Sequence, residues 1–182
     1  MLKGNKVKLG PVTRENIESF LKWFNDPEIT QYLLMYRPMT RMEEEDWLEN
    51  LKNRENNIYF SIVIPREDGS EKLIGNCGLH KIDWKNRVAD AGIAIGEKNY
   101  LGKGYGTEAM HLLVNYGFTT LNLNRIQLEV HKFNVRALKS YNKIGFREEG
   151  TRRQAIYLNG EYHDSVIMGI LKEEWQKIKS ES

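Results

Sequence analysis

The run Tyr100-Leu101-Gly102-Lys103-Gly104-Tyr105-Gly106-Thr107-Glu108-Ala109 constrains the fold most. It sets three alternating glycines between a strand-like stretch, Gly92-Ile93-Ala94-Ile95-Gly96, and an amphipathic helix pattern. Glycine lets the backbone reach positive φ and lets a ligand approach it closely. A helix N-terminus adds unpaired N–H groups and a partial positive charge. Together they make a seat for a phosphate or pyrophosphate. A Walker A loop would need Gly at 97 and Ser or Thr at 104, where Glu97 and Gly104 stand. A dinucleotide fingerprint starting at Gly102 would need Gly at 107, where Thr107 stands. Taken alone, the run is also compatible with a glycine-rich turn that binds nothing.

A second stretch narrows the choice. In residues 125–147, Ile126, Leu128 and Val130 alternate with Gln127, Glu129 and His131, the pattern of a strand with two different faces. Asn134 suits the N-cap of a following helix. Ala137, Leu138, Tyr141 and Ile144 are its apolar stripe, and Gly145 ends it. Asn134 and Tyr141 are about two turns apart and share a face, ~10 Å apart along the axis.

These two motifs resemble the GNAT superfamily of N-acetyltransferases. Its cofactor loop, Gln/Arg-x-x-Gly-x-Gly/Ala, appears as Leu101-Gly102-Lys103-Gly104-Tyr105-Gly106, with Leu101 departing at the first position. The later segment is similar to the family's strand followed by Asn-x-x-Ala-x-x-x-Tyr-x-x-x-Gly-Phe. The resemblance covers essentially the whole chain. Residues Glu149-Gly150 and Asn159 to Val166 look like the RimJ/RimL subgroup, which acetylates ribosomal-protein N-termini, and bacterial spermidine acetyltransferases share much of that pattern.

The resemblance implies acetyl-CoA as cosubstrate and direct transfer of acetyl to a primary amine, either a protein N-terminus or a small amine such as spermidine. Residues Leu101, Gly102, Lys103, Gly104, Tyr105, Gly106 and Thr107 are implied to bind pyrophosphate, mainly through backbone N–H groups. The backbone of Ile93, Ala94 and Ile95 is implied to pair with the pantetheine arm as an added strand would. Lys103, Arg136 and Lys139 are within reach of the phosphates, unless they are only solvated cations. Asn134 is implied to touch the arm or the sulfur end, besides capping its helix. Tyr141 is the implied acid for the departing sulfur, although its position alone suggests only a core aromatic. Glu129, in a Leu-Glu-Val sequence, is the implied base, with a structural salt bridge as the alternative. A base is chemically needed because an amine is mostly protonated at neutral pH. His131 is a weaker base candidate, and His80 and His163 read as structural. A non-catalytic acyl-CoA sensor on the same fold is the remaining alternative.

The chain of 182 residues fits one domain, here taken as 1–182, and its 40% hydrophobic and 29% charged content is that of an ordinary globular protein. A net charge of +2 implies neither nucleic acid nor a membrane surface. Cys77 stands alone, which rules out an intrachain disulfide, and it reads as a buried apolar residue. The scattered histidines show no metal-ligand spacing. No apolar run spans a membrane and no signal h-region is present, so a cytoplasmic location is expected. Homodimers are common in the family.

The order of elements predicts an α+β fold. Strands are expected at 6–12, 59–64, 72–82, 87–95, 125–131, 154–158 and 162–171. Four main helices are expected, at 13–24, 40–54, 105–119 and 135–144, with Trp175 in a short terminal one. Expected inner faces are Ile17, Phe20, Leu21 and Phe24 on the first helix and Ala109, Leu112, Leu113 and Tyr116 on the third. The resemblance adds that this mixed, mostly antiparallel seven-stranded sheet splays between its fourth and fifth strands. Glu43-Glu44-Glu45-Asp46, at a helix start, reads as dipole complement and solvated surface, or as an attraction for a polyamine.

Overall fold

The computed structural model describes residues 1–33, 35–51 and 55–180. Its strands are β1 (Leu2–Lys3), β2 (Lys8–Gly10), β3 (Ile58–Pro65), β4 (Glu71–Asp83), β5 (Val88–Ile95), β6 (Arg125–His131), β7 (Arg147–Leu158) and β8 (Glu161–Leu171). They form one sheet in the order β1-β2-β3-β4-β5-β6-β8-β7. All neighbours run antiparallel except β5 and β6, which are parallel. The helices are α1 (Ile17–Phe24), α2 (Pro27–Thr30), α3 (Arg41–Glu49), α4 (Tyr105–Thr119), α5 (Val135–Ile144) and α6 (Lys172–Ser180).

The splay is visible in the register. Strands β5 and β6 pair only at Val88, Ala89 and Asp90 with Arg125, Ile126 and Gln127. Beyond that point β5 stays paired with β4 through Ile95, while β6 stays paired with β8 through His131. A wedge therefore opens between them, and one edge of residues 91–95 has no strand beside it. The expected splay between the fourth and fifth strands is this one, because β1 precedes the strand counted first.

Period-two alternation puts Leu79, Ile93, Ile95, Ile126 and Leu128 on one face of the sheet. They share a core with Ala109, Met110, Leu113 and Val114 of α4 and with Trp175 of α6. The other face carries Tyr59, Ser61, His80, Asp90 and Gly92. There Trp47 of α3 packs edge-on against Tyr59 at 5.0 Å, and Ser61 donates to Asn16 Oδ1 at 2.8 Å. Gly96 is required by this layer: a β-carbon there would sit 1.9 Å from the Trp23 ring.

Several expectations change. The sheet has eight strands, since Leu2–Lys3 adds a two-residue edge. Strand β7 starts at Arg147, before the expected 154, and takes up the difference in bulges at Glu148/Gly150 and Arg152/Ile156. Asp26 ends α1 and also caps α2, accepting from the Glu28 N–H at 3.0 Å. The buried face of α1 is Ile17, Phe20 and Trp23, so Trp23 takes the place expected for Leu21 and Phe24. On α4 the buried stripe turns toward Met110, Val114 and Phe118, and Leu112 and Tyr116 are only half-buried. The Thr40–Glu43 capping box forms as expected, and the predicted end of that helix at 52–54 lies outside the described residues. The Asn159-Gly160 turn has both residues at positive φ, 52° and 88°, as a two-residue hairpin of this twist requires.

Candidate active site

The wedge between β5 and β6 opens into a cleft of about 1230 Å³. Each of its regions is built by a different local device.

At one end stands the glycine loop. Gly102 and Gly104 have φ of 73° and 88°, which L side chains rarely adopt. Gly104 is the N-cap of α4, and the first helical bond is the Glu108 N–H to its carbonyl at 3.0 Å. Among the described residues no acceptor meets the backbone N–H groups of residues 102–107. Six successive free donors at a helix N-terminus fit a pyrophosphate. Lys103, Arg136, Lys139 and Lys143 line the same region. Lys6 joins them, which the sequence did not signal locally. The Glu108 carboxylate accepts from the N–H groups of Asn5 and Lys6, and Lys6 Nζ donates to the Lys103 carbonyl at 3.3 Å.

Along the middle runs the open edge of Ile93, Ala94 and Ile95. Opposite them α5 presents Asn134 and Tyr141 to the cleft. Asn134 Oδ1 accepts from the Ala137 N–H at 3.2 Å, so the cap forms, and its Nδ2 has no acceptor among the described residues. Thr107 and Ser140 hydroxyls, 2.8 Å apart, tie α4 to α5 beside the loop. Burial pushes the Tyr141 phenol up to about 12, and its hydroxyl has no hydrogen-bond partner among the described residues. That is a protonated donor on a residue that lines the wedge.

On the far side Glu129 lines the cleft with both carboxylate oxygens engaged. Arg152 Nη1 donates to Oε2 at 2.9 Å, and the Ser165 hydroxyl donates to Oε1. The salt-bridge expectation for Glu129 is thus met, at a position that also lines the cleft. Asp90 sits where the two strands converge, its Oδ1 accepting from Gln127 Nε2 at 2.8 Å and its Oδ2 lying 3.4 Å from Lys81 Nζ.

Of the expected cofactor residues, only Tyr105 lies outside the cleft lining. Its ring turns away to pack on Tyr100, with centroids 5.3 Å apart, leaving its backbone N–H at the helix start. His131 also stands apart. It is buried, with no hydrogen-bond partner at either ring nitrogen among the described residues, and it packs against Phe133 at 5.2 Å. Burial holds it below the ordinary histidine value, against the opposing pull of the Gln31 backbone and the Glu129 carboxylate. His80, read from the sequence as structural, lines the cleft. The acidic run on α3 is not uniformly solvated either. Glu43 closes the capping box, whereas Glu44 is 3% exposed and burial raises its carboxyl above the ordinary range.

A mixed sheet splayed around a phosphate-binding loop, with a free edge and a protonated phenol, is the architecture of an acyl-CoA-dependent acyltransferase. Comparison with known proteins gives the family. Residues 6–147 match the model of the acetyltransferase (GNAT) domain, and the chain belongs to that family. It is 33% identical over 178 residues to the uncharacterized N-acetyltransferase p20 of Bacillus licheniformis, covering 93% of this chain and 95% of the other. It is 40% identical over 109 residues to YdaF of Bacillus subtilis, named as a candidate ribosomal N-acetyltransferase, covering 60% of this chain and 58% of YdaF. The spermidine N-acetyltransferase of Vibrio cholerae, solved with CoA and spermine, superposes with a TM-score of 0.86 at 26% identity, over 94% of this chain and 98% of that one. The protein is an N-acetyltransferase whose cosubstrate is acetyl-CoA.

Proposed function

We propose that the enzyme acetylates a single primary amine on an otherwise weakly charged acceptor, most simply the α-amino group of a protein or peptide. One observation carries this reading. Each carboxylate lining the cleft already has a cation: Glu28 pairs with Lys98 at 3.0 Å, Asp90 with Lys81 at 3.4 Å and Glu129 with Arg152 at 2.9 Å. Such a lining retains little negative charge with which to hold a polycation along its length, but it leaves room for one ammonium. The backbone N–H groups of 102–107, helped by Lys6, Lys103, Arg136 and Lys139, would hold the pyrophosphate. The open edge of Ile93, Ala94 and Ile95 would hold the arm, and the Asn134 amide would steady its sulfur end. Tyr141 would supply the proton that the departing sulfur takes up. Glu129, oriented by Arg152 and Ser165, would face the acceptor as base or as an anchor for its ammonium.

A second reading, polyamine acetylation, draws on the similarity to the Vibrio cholerae enzyme and on Glu44, a carboxylate without a cation partner among the described residues. Release of CoA thiol, measured with acetyl-CoA against peptides bearing N-terminal Ala, Ser or Met and against spermidine and spermine, separates the two. Turnover of a peptide and not of the polyamines is the expected result. Turnover of polyamines alone would replace the first reading by the second.

A further inference from the structure

We propose that His80 is a catalytic residue of this cleft, the base that takes the proton from the acceptor ammonium. The inference rests on the acetyl-transfer reading above and concerns the same site.

The register fixes where the reactive end of the cofactor must lie. The phosphate seat follows the C-terminal end of β5, and the arm has a free backbone edge only back to residue 91. Four strand residues from Ile95 to Gly92 span about 10 Å. Beyond Ala91 the wedge closes, because Asp90 pairs with Gln127. The thioester therefore ends beside Gly92.

His80 stands at that point. It lies on β4 opposite Asp90, and period two puts its ring on the same sheet face as the missing side chain of Gly92. A β-carbon on Gly92 would lie 2.9 Å from His80 Nε2, and one on Gly78 would lie 3.1 Å from His80 Cε1. The two glycines make a floor over which the imidazole extends, and His80 is part of the cleft lining. Neither ring nitrogen has a hydrogen-bond partner among the described residues. Tyr141 reaches the wedge from the helix side of the sheet, where α5 packs against α4. Acid and base thus approach from opposite faces. In contrast, both oxygens of Glu129 already accept hydrogen bonds.

The titratable and charged groups facing His80 are Asp90 on β5, Lys81 beside it on β4, and Tyr59 on β3, whose ring is 4.9 Å away. Burial keeps the imidazole below its ordinary value, with Asp90 opposing and Lys81 assisting, so it is neutral and able to accept a proton at neutral pH. The protons balance. The acceptor ammonium gives one proton to the imidazole, and its freed lone pair forms the N–C bond. As the C–S bond breaks, Tyr141 gives its phenolic proton to sulfur, and the second proton of the nitrogen restores the phenol. One proton per turnover then leaves His80 for solvent through the open cleft.

The test uses the full chain with whichever amine the wild type acetylates. His80→Gln is expected to lower kcat/KM about a hundredfold and to remove the acid limb of its pH profile. Acetyl-CoA affinity by calorimetry and the thermal midpoint should stay close to wild type. Glu129→Gln is expected to keep the limb. In the wild type bound to CoA, the NMR titration of His80 should share the midpoint of that limb, which keeps the idea testable even if the variant folds poorly. An unchanged limb in His80→Gln, its loss in Glu129→Gln instead, or a His80 titration away from the limb would overturn the assignment. A wild type silent on every amine would instead sink the acetyl-transfer reading of its acceptor.

Discussion

At the scale of the residue, the proposed acid Tyr141 shows most clearly how position could become chemistry. It sits on an apolar stripe like any core aromatic, yet it lines the cleft and burial raises its phenol to about 12. An acid with so high a value stays protonated throughout ordinary assay conditions. The rate should therefore show no alkaline fall from this group between about pH 8 and 10. Tyr141→Phe should bind acetyl-CoA like wild type by calorimetry and lose about a hundredfold in kcat. An unaltered kcat would remove Tyr141 from the mechanism. Gly104 makes the opposite demand, for no side chain at all. At φ of 88°, with Lys6 Nζ 3.5 Å from where a β-carbon would lie, a Glu there strains the backbone and sets a carboxylate against the phosphates. Gly104→Glu should weaken acetyl-CoA binding more than about tenfold, or 1.4 kcal/mol.

At the scale of the element, the two motif-bearing helices were readable because their caps are local chemistry. Asn134 and Gly145 bound α5, and Gly104 starts α4, where the sequence places them. The faces of α1 and α4 were harder to read. Which of several apolar neighbours goes deepest depends on the sheet it meets, and Trp23 is buried because Gly96 leaves its ring a place just past the end of β5. Gly96→Ala should destabilise the fold by about 1–3 kcal/mol, since the Trp23 ring would have to move. That is a fall of roughly 2–4 °C in thermal midpoint per kcal/mol for a chain of this size. Glu44 on α3 shows a second tertiary effect. Its folded value is raised by burial, so its contribution to stability is full below the unfolded value and is lost as pH rises through the folded one. Glu44→Gln should accordingly raise the thermal midpoint at pH 7, by a margin that disappears near pH 4. A margin equal at both pH values would mean that its charge is not what burial penalises.

At the scale of the whole molecule, the order of strands and helices was legible and the cleft was only partly so. Residues of the glycine loop and α5 announce themselves because each motif is contiguous. Lys6, His80, Asp90 and Arg152 do not, since they come from four separate segments that only the sheet assembles. The long start of β7 was missed because its exposed, charged run from Arg147 has no strand-like alternation and resembles a loop until β8 pairs with it. What the assembled sheet makes is a wedge with free backbone N–H groups at its mouth, a free backbone edge along its side and, on our proposal, Tyr141 as acid and His80 as base at its apex. Its acidic groups are already paired. The most direct test of that account is competition in one vessel, with acetyl-CoA limiting and equal concentrations of an N-terminal Ala peptide and spermidine, the products being read by mass. The account predicts acetyl on the peptide α-amine in clear excess. Acetyl on spermidine in excess would contradict it and make the cleft a polyamine site.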